Sequence, residues 1–326
     1  MTTASPGGGG AGVRLASLDD GVELLREYAI LVCVLALFLT LTFTSDVFLT
    51  SVNMKNVLES VSTYGIVACA LTLLLIVGEF DLSVGATFVL TGIVAAKLQP
   101  SLGTWPALLV GVAAATGVGV FNGIAVAYFR INSFIATLAS SLMVVGLGTK
   151  VTDGFQLYIE DPSFLVLGND ELFDVRYSIW ILALFALVCG FVLARTKLGR
   201  WLYATGGNLE AARLSGINTR AIKVGAFAFS GFAAGVAGAI LISRTATAIA
   251  GNGIDVVFIA FAAVVVGGTS VLGGRGAIWR TVLGLLFLEF IRNGFNLLEV
   301  NPYYQDIIRG GIILVAVAID AFSRRT

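Results

Sequence analysis

Residues 195–223 read RTKLGRWLYATGGNLEAARLSGINTRAIK, and this polar segment separates two long apolar runs. It carries six basic residues against one acid, Glu210. Ala211 and Ala212 follow that acid and Gly216 comes shortly after, which predicts a short helix with little side-chain bulk and a glycine where the chain turns. Such a helix can lodge in a groove on a partner protein. The alternative is an ordinary loop whose basic residues only fix its side of a membrane.

The composition is that of a membrane protein. Of the 326 residues, 57% are hydrophobic and only 12% are charged, whereas about 25% are charged in typical soluble domains. The mean hydropathy is +0.95. A net charge of zero argues against binding to nucleic acid, and the 39 glycines suit close helix contacts in lipid. The sequence therefore predicts an all-α polytopic membrane protein.

The usage of histidine and cysteine narrows the possible chemistry. The chain has no histidine, which removes the commonest general base and proton-relay group. Cys33, Cys69 and Cys189 lie in apolar runs without the spacing of metal ligands. We therefore expect no metal site and no catalytic residue in this chain.

Apolar runs long enough to cross a bilayer recur along the chain, and they predict about ten transmembrane helices. The third and eighth runs are short and interrupted by glycine, so they are the candidates for broken or re-entrant helices. Both termini are predicted to be cytoplasmic, because that orientation puts most of the Lys and Arg residues inside. The runs are 28–44, 57–78, 83–98, 105–128, 133–151, 178–194, 222–243, 256–272, 278–296 and 304–321.

The expected organisation is a disordered cytoplasmic tail at 1–20 followed by a single transmembrane domain at 21–326. The main cytoplasmic loop of that domain is 195–223. Its longest external segment is 152–177, which holds six acids against one arginine. An acidic external loop with aromatic residues can be a docking surface for a soluble binding protein. It can also be a solvated loop from which topology excludes basic residues.

The stretch 78–85 reads GEFDLSVG and lies between the second and third runs. Carboxylates at membrane depth are costly unless they are solvated or paired, so Glu79 and Asp81 need a role. Asp81, together with the nearby Ser83, is predicted to hold a turn and to cap a helix that begins at Leu82. The role of Glu79 stays open between a local salt bridge and a function in transport.

Four polar side chains stand out in otherwise apolar helices or turns. Asn122 and Thr137 can hydrogen-bond to neighbouring helices, or they can line a path for a hydroxyl-rich solute. Thr269 and Ser270 stand between two pairs of glycines, a pattern that permits a broken helix beside a water-filled cavity. All four are candidates for a translocation path.

Several of these blocks, taken in order, resemble one known family. One sequence pattern resembles the EAA coupling loop of ATP-binding-cassette (ABC) importer permeases of the sugar type, which include the ribose, galactose and xylose permeases. The pattern is GR-x-x-YA-x-GGN-x-EAARLSGI. GEFDLSVG, the NG to TLA block at 122–139, GGTS-x-x-GG-x-G and the final YQDIIRGGIILVAVAID resemble the same permeases. The resemblance runs from about 50 to 321. Glu79 departs from the family pattern, which has glycine there, and this weakens the transfer of a substrate by analogy.

The resemblance implies the transmembrane subunit of an ABC importer, which forms the translocation path for a monosaccharide or related polar solute delivered by a binding protein. It implies a multi-pass location in the lipid of the bacterial cytoplasmic (inner) membrane. The implied partners are an ABC ATPase, a periplasmic or lipid-anchored sugar-binding protein, and a second permease that is identical or homologous. Because the chain has no G-x-x-x-x-G-K-[ST] motif, we expect ATP and Mg²⁺ on the ATPase and no cofactor on this chain. The implied ATPase-coupling residues are Gly207, Asn208, Glu210, Ala211, Ala212 and Gly216.

Other functions stay open at this point. An ion-coupled secondary transporter would need a charge near the membrane midplane, and Glu289 is the main candidate. Arg292, three residues on, can pair with Glu289 on the same helix face, and we favour this pairing. Within ABC importers the solute could instead be an amino acid, a nucleoside or an autoinducer-like molecule. An intramembrane enzyme is disfavoured, because the sequence shows no catalytic constellation.

Overall fold

The structure is a computed structural model that describes residues 18–251, 253–301, 303–305, 307–308, 310–312 and 314. The described chain is mostly α-helical, with short two-residue strands. The strands are β1 Leu157–Tyr158, β2 Glu171–Leu172, β3 Val175–Arg176 and β4 Thr247–Ala248. The helices are α1 Leu18–Thr44, α2 Ser51–Ile76, α3 Val84–Leu102, α4 Thr104–Ala127, α5 Ser133–Thr152, α6 Val166–Asn169, α7 Tyr177–Arg195, α8 Lys197–Gly207, α9 Leu209–Leu214, α10 Thr219–Thr245, α11 Ile254–Val266 and α12 Ile278–Leu297.

The predicted apolar runs coincide with helices in the described part of the chain. Each run up to residue 296 overlaps one of α1–α5, α7 and α10–α12. Among the described residues, α2, α4, α5, α7 and α10 are long and apolar enough to cross a membrane. This agrees with the predicted helical membrane protein. Most of the tail predicted at 1–20 and much of the last run, 304–321, lie outside the described residues.

Helices α2 and α10 form the centre of the bundle. Of the 18 most apolar consecutive residues in each helix, 89% in α2 and 67% in α10 are buried inside the protein, against 28% in α5 and in α7. The peripheral helices expose large apolar side chains, for example Leu142 and Leu187. These side chains suit a lipid environment, because acyl chains are as apolar as leucine.

Glycines let α4 and α10 pack backbone to backbone. A Cβ atom on Gly119 would lie 2.3 Å from the carbonyl oxygen of Phe227, and one on Gly231 would lie 2.4 Å from that of Ala115. No larger residue fits at either position without a shift of one helix. Small residues at such contacts are the usual basis of helix association in membranes. The close packing predicted from the glycine content is therefore present.

Two helices begin in the middle of the bundle rather than at an end. The chain enters α3 beside the midpoint of α10, where Ser230 Oγ donates to Asp81 Oδ2 at 2.7 Å. α11 starts next to the start of α3, and a Cβ atom on Gly85 would lie 2.2 Å from the carbonyl oxygen of Gly253. With 13 residues, α11 is about 20 Å long. It is shorter than the ~30 Å hydrocarbon core of a bilayer.

Helices α3 and α11 run toward opposite ends of the bundle. α3 follows the second half of α10, where a Cβ atom on Gly238 would lie 2.1 Å from the Phe88 oxygen. α11 runs toward the start of α12, where a Cβ atom on Gly284 would lie 2.2 Å from the Ala263 oxygen. The chain between α10 and α11, which includes β4, returns from the far end of α10 to the middle. The eighth predicted run, 256–272, therefore contains a helix that is too short to cross the bilayer.

The bundle has two structurally different ends. The end that carries β1–β4 is called the strand end here; β1 pairs antiparallel with β4, and β2 with β3. Phe164 is fully buried there, so the segment between α5 and α7 is folded rather than loose. The opposite end, called the α8–α9 end, also carries the turn at 267–277 and the end of α2, from which the 77–83 turn leads inward to α3.

Candidate functional site

Helix α9 is a six-residue helix with a defined beginning and end. Asn208 caps its beginning, because its Oδ1 accepts the backbone N–H of Ala211 at 2.9 Å. At its end, the N–H of Ile217 donates to the Ala212 oxygen at 3.1 Å, and Gly216 has a φ of 81°. This is a Schellman ending, which favours glycine at the left-handed position. The short helix predicted in this segment is therefore present.

The predicted coupling residues lie together on and beside α9, but they face different ways. Gly207, Glu210 and Ala211 are exposed. Leu214, which the sequence analysis did not single out, is 85% exposed on the same helix. Ala212 is only 3% exposed and lies against its own chain. Packing within this chain therefore accounts for the small side chain of Ala212, and the outward face of α9 is formed by its neighbours.

Helix α8 is held to the bundle by a junction of backbone atoms. A Cβ atom on Gly206 would lie 1.7 Å from the carbonyl oxygen of Ile76, the last residue of α2. The same oxygen accepts the N–H of Gly274 at 2.9 Å. Tyr203 Oη donates to the Gly276 oxygen at 2.8 Å. A movement of α8 therefore reaches both α2 and the turn between α11 and α12 directly.

Asp81 holds the turn that leads into α3. Its Oδ1 accepts the N–H of Ser83 at 2.9 Å and the hydroxyl of Ser83 at 2.6 Å. The helix begins at Val84 rather than at Leu82, where the sequence analysis expected it. The reason is tertiary: the other carboxylate oxygen is bonded to Ser230 of α10, so Asp81 anchors a longer turn instead of capping the helix.

Asn122 and Thr137 are fully buried and serve the same turn. Asn122 Nδ2 donates to Ser83 Oγ at 2.8 Å, and Thr137 Oγ1 accepts the backbone N–H of Leu82 at 3.0 Å. Backbone groups at a break in a helix have no partner within the segment, so side chains must satisfy them. These bonds explain why polar residues occur in the apolar α4 and α5.

Thr269 and Ser270 lie in the turn between α11 and α12, and both are buried. The N–H of Ser270 donates to the Arg275 oxygen at 2.9 Å, which closes the turn. The Cγ2 atom of Thr269 would lie 2.8 Å from a Cβ atom on Gly276. The four predicted path residues thus serve two turns: Asn122 and Thr137 bond to the turn before α3, and Thr269 and Ser270 lie in the turn after α11.

An ion pair between Glu79 and Lys223 joins the 77–83 turn to the start of α10. Of the two roles that the sequence left open for Glu79, the structure shows the salt bridge. The pair borders a cavity of about 490 Å³ at the α8–α9 end, which Arg130, Arg213 and Arg220 also line. The partner could not be read from the sequence, since 144 residues separate the two side chains.

A second group of charges lies in the half of the bundle toward the strand end. Glu59 of α2 contacts Arg176, and its Oε2 lies 3.7 Å from an Nη atom of Arg244. On α12 the predicted pairing of Glu289 with Arg292 is confirmed, with 3.6 Å between Oε1 and Nε. The sequence analysis missed Glu59, although a carboxylate within an apolar helix was the signal that could have found it.

The strand end presents acidic and aromatic groups on its surface. Phe155 and Phe173 are 73% and 84% exposed. Lys55 Nζ lies 3.1 Å from Glu171 and 2.9 Å from Asp174 and ties the β2–β3 hairpin to α2. The hydrogen bond from Lys55 lowers the pKa of Asp174, so this carboxylate is ionised at neutral pH. Among the described residues, no group of three or more His, Cys, Asp or Glu could hold a metal ion.

Interrupted helices, buried intramembrane ion pairs and an exposed short helix at one end are features of membrane transport proteins. The chain belongs to the family of permease components of the branched-chain amino acid transport system, whose model matches residues 53–317. It is a membrane-embedded transport component, as the resemblance predicted.

Several curated relatives of the chain are permeases that are named for a sugar. The ribose import permease protein RbsC of Escherichia coli (strain K12) is 38% identical over 304 residues, covering 91% of this chain and 94% of the relative. The L-arabinose transport system permease protein AraH of the same strain is 35% identical over 319 residues, covering 97% and 96%. The L-arabinose ABC transporter permease protein AraH of Azospirillum brasilense is 34% identical over 316 residues, covering 96% and 93%. No solved structure matches the chain.

Proposed function

We propose that this chain is the membrane-spanning subunit of an ABC importer for a monosaccharide, in the cytoplasmic membrane of a bacterium. The observation that carries the proposal is the similarity, over nearly the whole chain, to permeases named for ribose and L-arabinose. The chain contributes no catalytic residue. ATP and Mg²⁺ are bound by a separate ATPase subunit.

In this assignment the chain crosses the membrane about ten times, with both termini in the cytoplasm. The α8–α9 end lies in the cytoplasm, because it holds the basic loop 195–223 and the positive-inside rule places such loops there. The strand end faces outward. Its acidic loop, with Phe155 and Phe173 exposed, is the surface on which the sugar-binding protein docks.

The outward face of α9 inserts into a groove of the ATPase. Glu210, Ala211 and Leu214 supply the contacts, Asn208 and Gly216 hold the ends of the helix, and Gly207 lies at its approach. Ala212 fixes α9 to its own chain. Because Gly206 touches the end of α2, a displacement of α8 and α9 by ATP-driven closure is passed to the bundle.

The importer has two ATPase domains, so two permease chains, identical or homologous, act together. Four buried polar residues flank the translocation path: Asn122, Thr137, Thr269 and Ser270. Their hydrogen bonds support the two broken spans, whose rearrangement opens and closes that path.

Uptake into proteoliposomes tests the proposal. The permease is reconstituted with the ATPase and binding protein encoded beside it, and entry of labelled D-ribose or L-arabinose is measured with and without ATP. Uptake should require ATP and the binding protein and should survive collapse of the proton gradient. Uptake driven by that gradient at constant ATP, and lost in Glu289→Gln, would instead establish a secondary transporter.

A further inference from the structure

A basic cavity lies at the α8–α9 end, between the turn from α4 to α5 and the beginnings of α9 and α10. Its volume is about 490 Å³. Among the described residues that line it, one is a carboxylate, Glu79, and four are cations. The cations are Arg130, Arg213, Arg220 and Lys223. Because Glu79 is paired with Lys223, the three arginines are left without a carboxylate of their own in this lining.

The three arginines reach the cavity from different segments. Arg130 belongs to the turn before α5, Arg213 to α9, and Arg220 to the first turn of α10. Within the part of the chain that the structure describes, none of the three forms an ion pair. Like charges that share one cavity repel each other. An anion between them would replace this repulsion by attraction.

The arginines keep N–H groups available for such an anion. Arg213 Nε donates to Thr219 Oγ1 at 3.2 Å, which leaves both of its Nη groups. The guanidinium carbon of Arg220 lies 5.4 Å from the centre of the Tyr128 ring, a cation–π contact that does not replace a hydrogen-bond acceptor. Arg130 has a φ of 56°, a left-handed conformation that favours glycine or asparagine. A cation therefore stands where the backbone alone favours another residue.

Two helix beginnings add to the positive potential of the cavity. Ser133 is the first residue of the 20-residue α5, Thr219 is the first residue of the 27-residue α10, and both line the cavity. The beginning of a helix carries a partial positive charge that stabilises a nearby anion. Arginine can donate two parallel hydrogen bonds to the oxygens of a phosphate. Clustered arginines beside two helix beginnings therefore match the chemistry of a phosphate group.

Exposed apolar side chains beside the cavity bear on the source of the phosphate. Phe129 and Phe134 flank the turn from α4 to α5 and are 73% and 52% exposed, and Ile131, which lines the cavity, is 43% exposed. A soluble phosphate ester needs only the cations. A phospholipid also has acyl chains, which can lie against apolar side chains while basic residues between the helices hold its head group. The surroundings of the cavity therefore favour an anionic phospholipid.

We propose that the cavity binds a phosphate group, with Arg130, Arg213 and Arg220 donating to its oxygens. An anionic phospholipid and a soluble phosphate ester share this chemistry, and experiment can separate the two sources. Because Arg213 belongs to α9, the bound phosphate ties this helix to the turn before α5 and stabilises its position. The inference goes beyond the proposed function, and only the assignment of the site to the cytoplasmic side rests on that function.

Binding of labelled phosphatidylglycerol, phosphatidylcholine and glycerol 3-phosphate tests the site. The full chain is purified in detergent without the ATPase, because a nucleotide site also binds phosphate. Wild type should bind phosphatidylglycerol about tenfold or more tightly than the zwitterionic phosphatidylcholine. Arg130→Asn and Arg220→Gln should each weaken this binding about tenfold, because each removes a charge-assisted hydrogen bond. Asparagine at residue 130 also tolerates the left-handed backbone.

Arg200→Gln is the matched control, since Arg200 is an exposed arginine of α8 outside the described lining of the cavity. The melting temperature of each variant without lipid shows whether it folds. Phosphatidylglycerol should raise the melting temperature of wild type and of Arg200→Gln more than that of the two cavity variants, because a ligand stabilises the folded state that binds it.

The outcomes separate the two sources of phosphate. Binding of phosphatidylglycerol that depends on Arg130 and Arg220, and that glycerol 3-phosphate does not displace, assigns the site to a lipid. Binding of glycerol 3-phosphate alone, with the same dependence on the arginines, assigns it to a soluble ester. If neither ligand binds, or if Arg200→Gln weakens binding as much as the cavity variants do, the inference is wrong.

Discussion

Gly85 and Gly253 touch through their backbones at the point where α3 and α11 begin. A Cβ atom on Gly85 would lie 2.2 Å from the Gly253 oxygen, and a Cβ atom on Gly253 would lie 2.0 Å from the Gly85 oxygen. The two broken spans therefore meet in a contact that only glycine permits. This contact sets the depth at which both helices start.

Alanine at either position of this contact should destabilise the protein. The added methyl group overlaps backbone that cannot move without shifting a helix, which costs about 1–3 kcal/mol. We expect Gly85→Ala and Gly253→Ala to lower the apparent melting temperature of the protein in detergent. Gly117→Ala in α4 is the control, because a Cβ atom there meets nothing within 4 Å. Equal melting temperatures for all three variants would contradict the contact.

Gly206→Ala should separate ATP hydrolysis from transport. The methyl group would lie against the Ile76 oxygen and push α8 away from α2. Gly225→Ala in α10 is the control, because it adds a methyl group with no atom within 4 Å. In proteoliposomes we expect Gly206→Ala to keep ATP turnover by the complex and lose most sugar uptake. Normal uptake in Gly206→Ala, or a loss of equal size in Gly225→Ala, would show that the junction does not transmit motion.

The effect of a substitution at Gly216 on transport should depend on whether the new residue tolerates the left-handed backbone conformation, and not on the size of its side chain. Its φ of 81° lies in the left-handed region, which asparagine tolerates and which costs other residues about 1–2 kcal/mol. Gly216→Asn should therefore keep coupled transport, whereas Gly216→Val should weaken the end of α9 and reduce uptake per ATP hydrolysed. The ratio of the two rates is the measurement. Similar ratios in both variants would mean that the ending of α9 is unimportant.

Cysteine labelling determines the orientation. Leu214→Cys and Phe173→Cys introduce exposed thiols at the α8–α9 end and at the strand end. The background carries Cys33→Ala, because Cys33 is exposed while Cys69 and Cys189 are buried. An impermeant maleimide added to intact spheroplasts should label Phe173→Cys only, and Leu214→Cys should react after lysis. Labelling of Leu214→Cys in intact spheroplasts would overturn the coupling role of α9.

The sequence predicted those features of the fold that depend only on residues close to each other along the chain. Apolar runs located the long helices, and the i, i+3 spacing of Glu289 and Arg292 identified their ion pair. Contacts between distant segments were not predictable in this way. The ion-pair partner of Glu79 lies 144 residues away along the chain. Asp81 accepts a hydrogen bond from Ser230 of α10, which is also distant in sequence. The eighth run was a candidate for a broken helix, but the end of α11 at Val266 could not be predicted, because the apolar run continues into the residues of the following turn.

The site could be predicted only in part for the same reason. Asn208, Glu210 and Gly216 lie in one short segment, so local patterns brought them together correctly. Ala212 belongs to that segment too, but its inward direction depends on packing against the rest of the chain. The ion pair of Glu59 with Arg244 joins α2 to α10, and no local pattern along the chain relates these two side chains.

Helix α2 has a mechanical consequence for the proposed importer. It is one uninterrupted helix of 26 residues, about 39 Å long, and it has no proline at which to bend. Asn53 near one end exchanges two hydrogen bonds with Asn293, at 3.1 and 2.7 Å, and Ile76 at the other end touches Gly206. A rigid rod displaces both of its ends together. If both proposed partners move α2, docking outside and nucleotide binding inside must bias each other by the same free energy, in either direction.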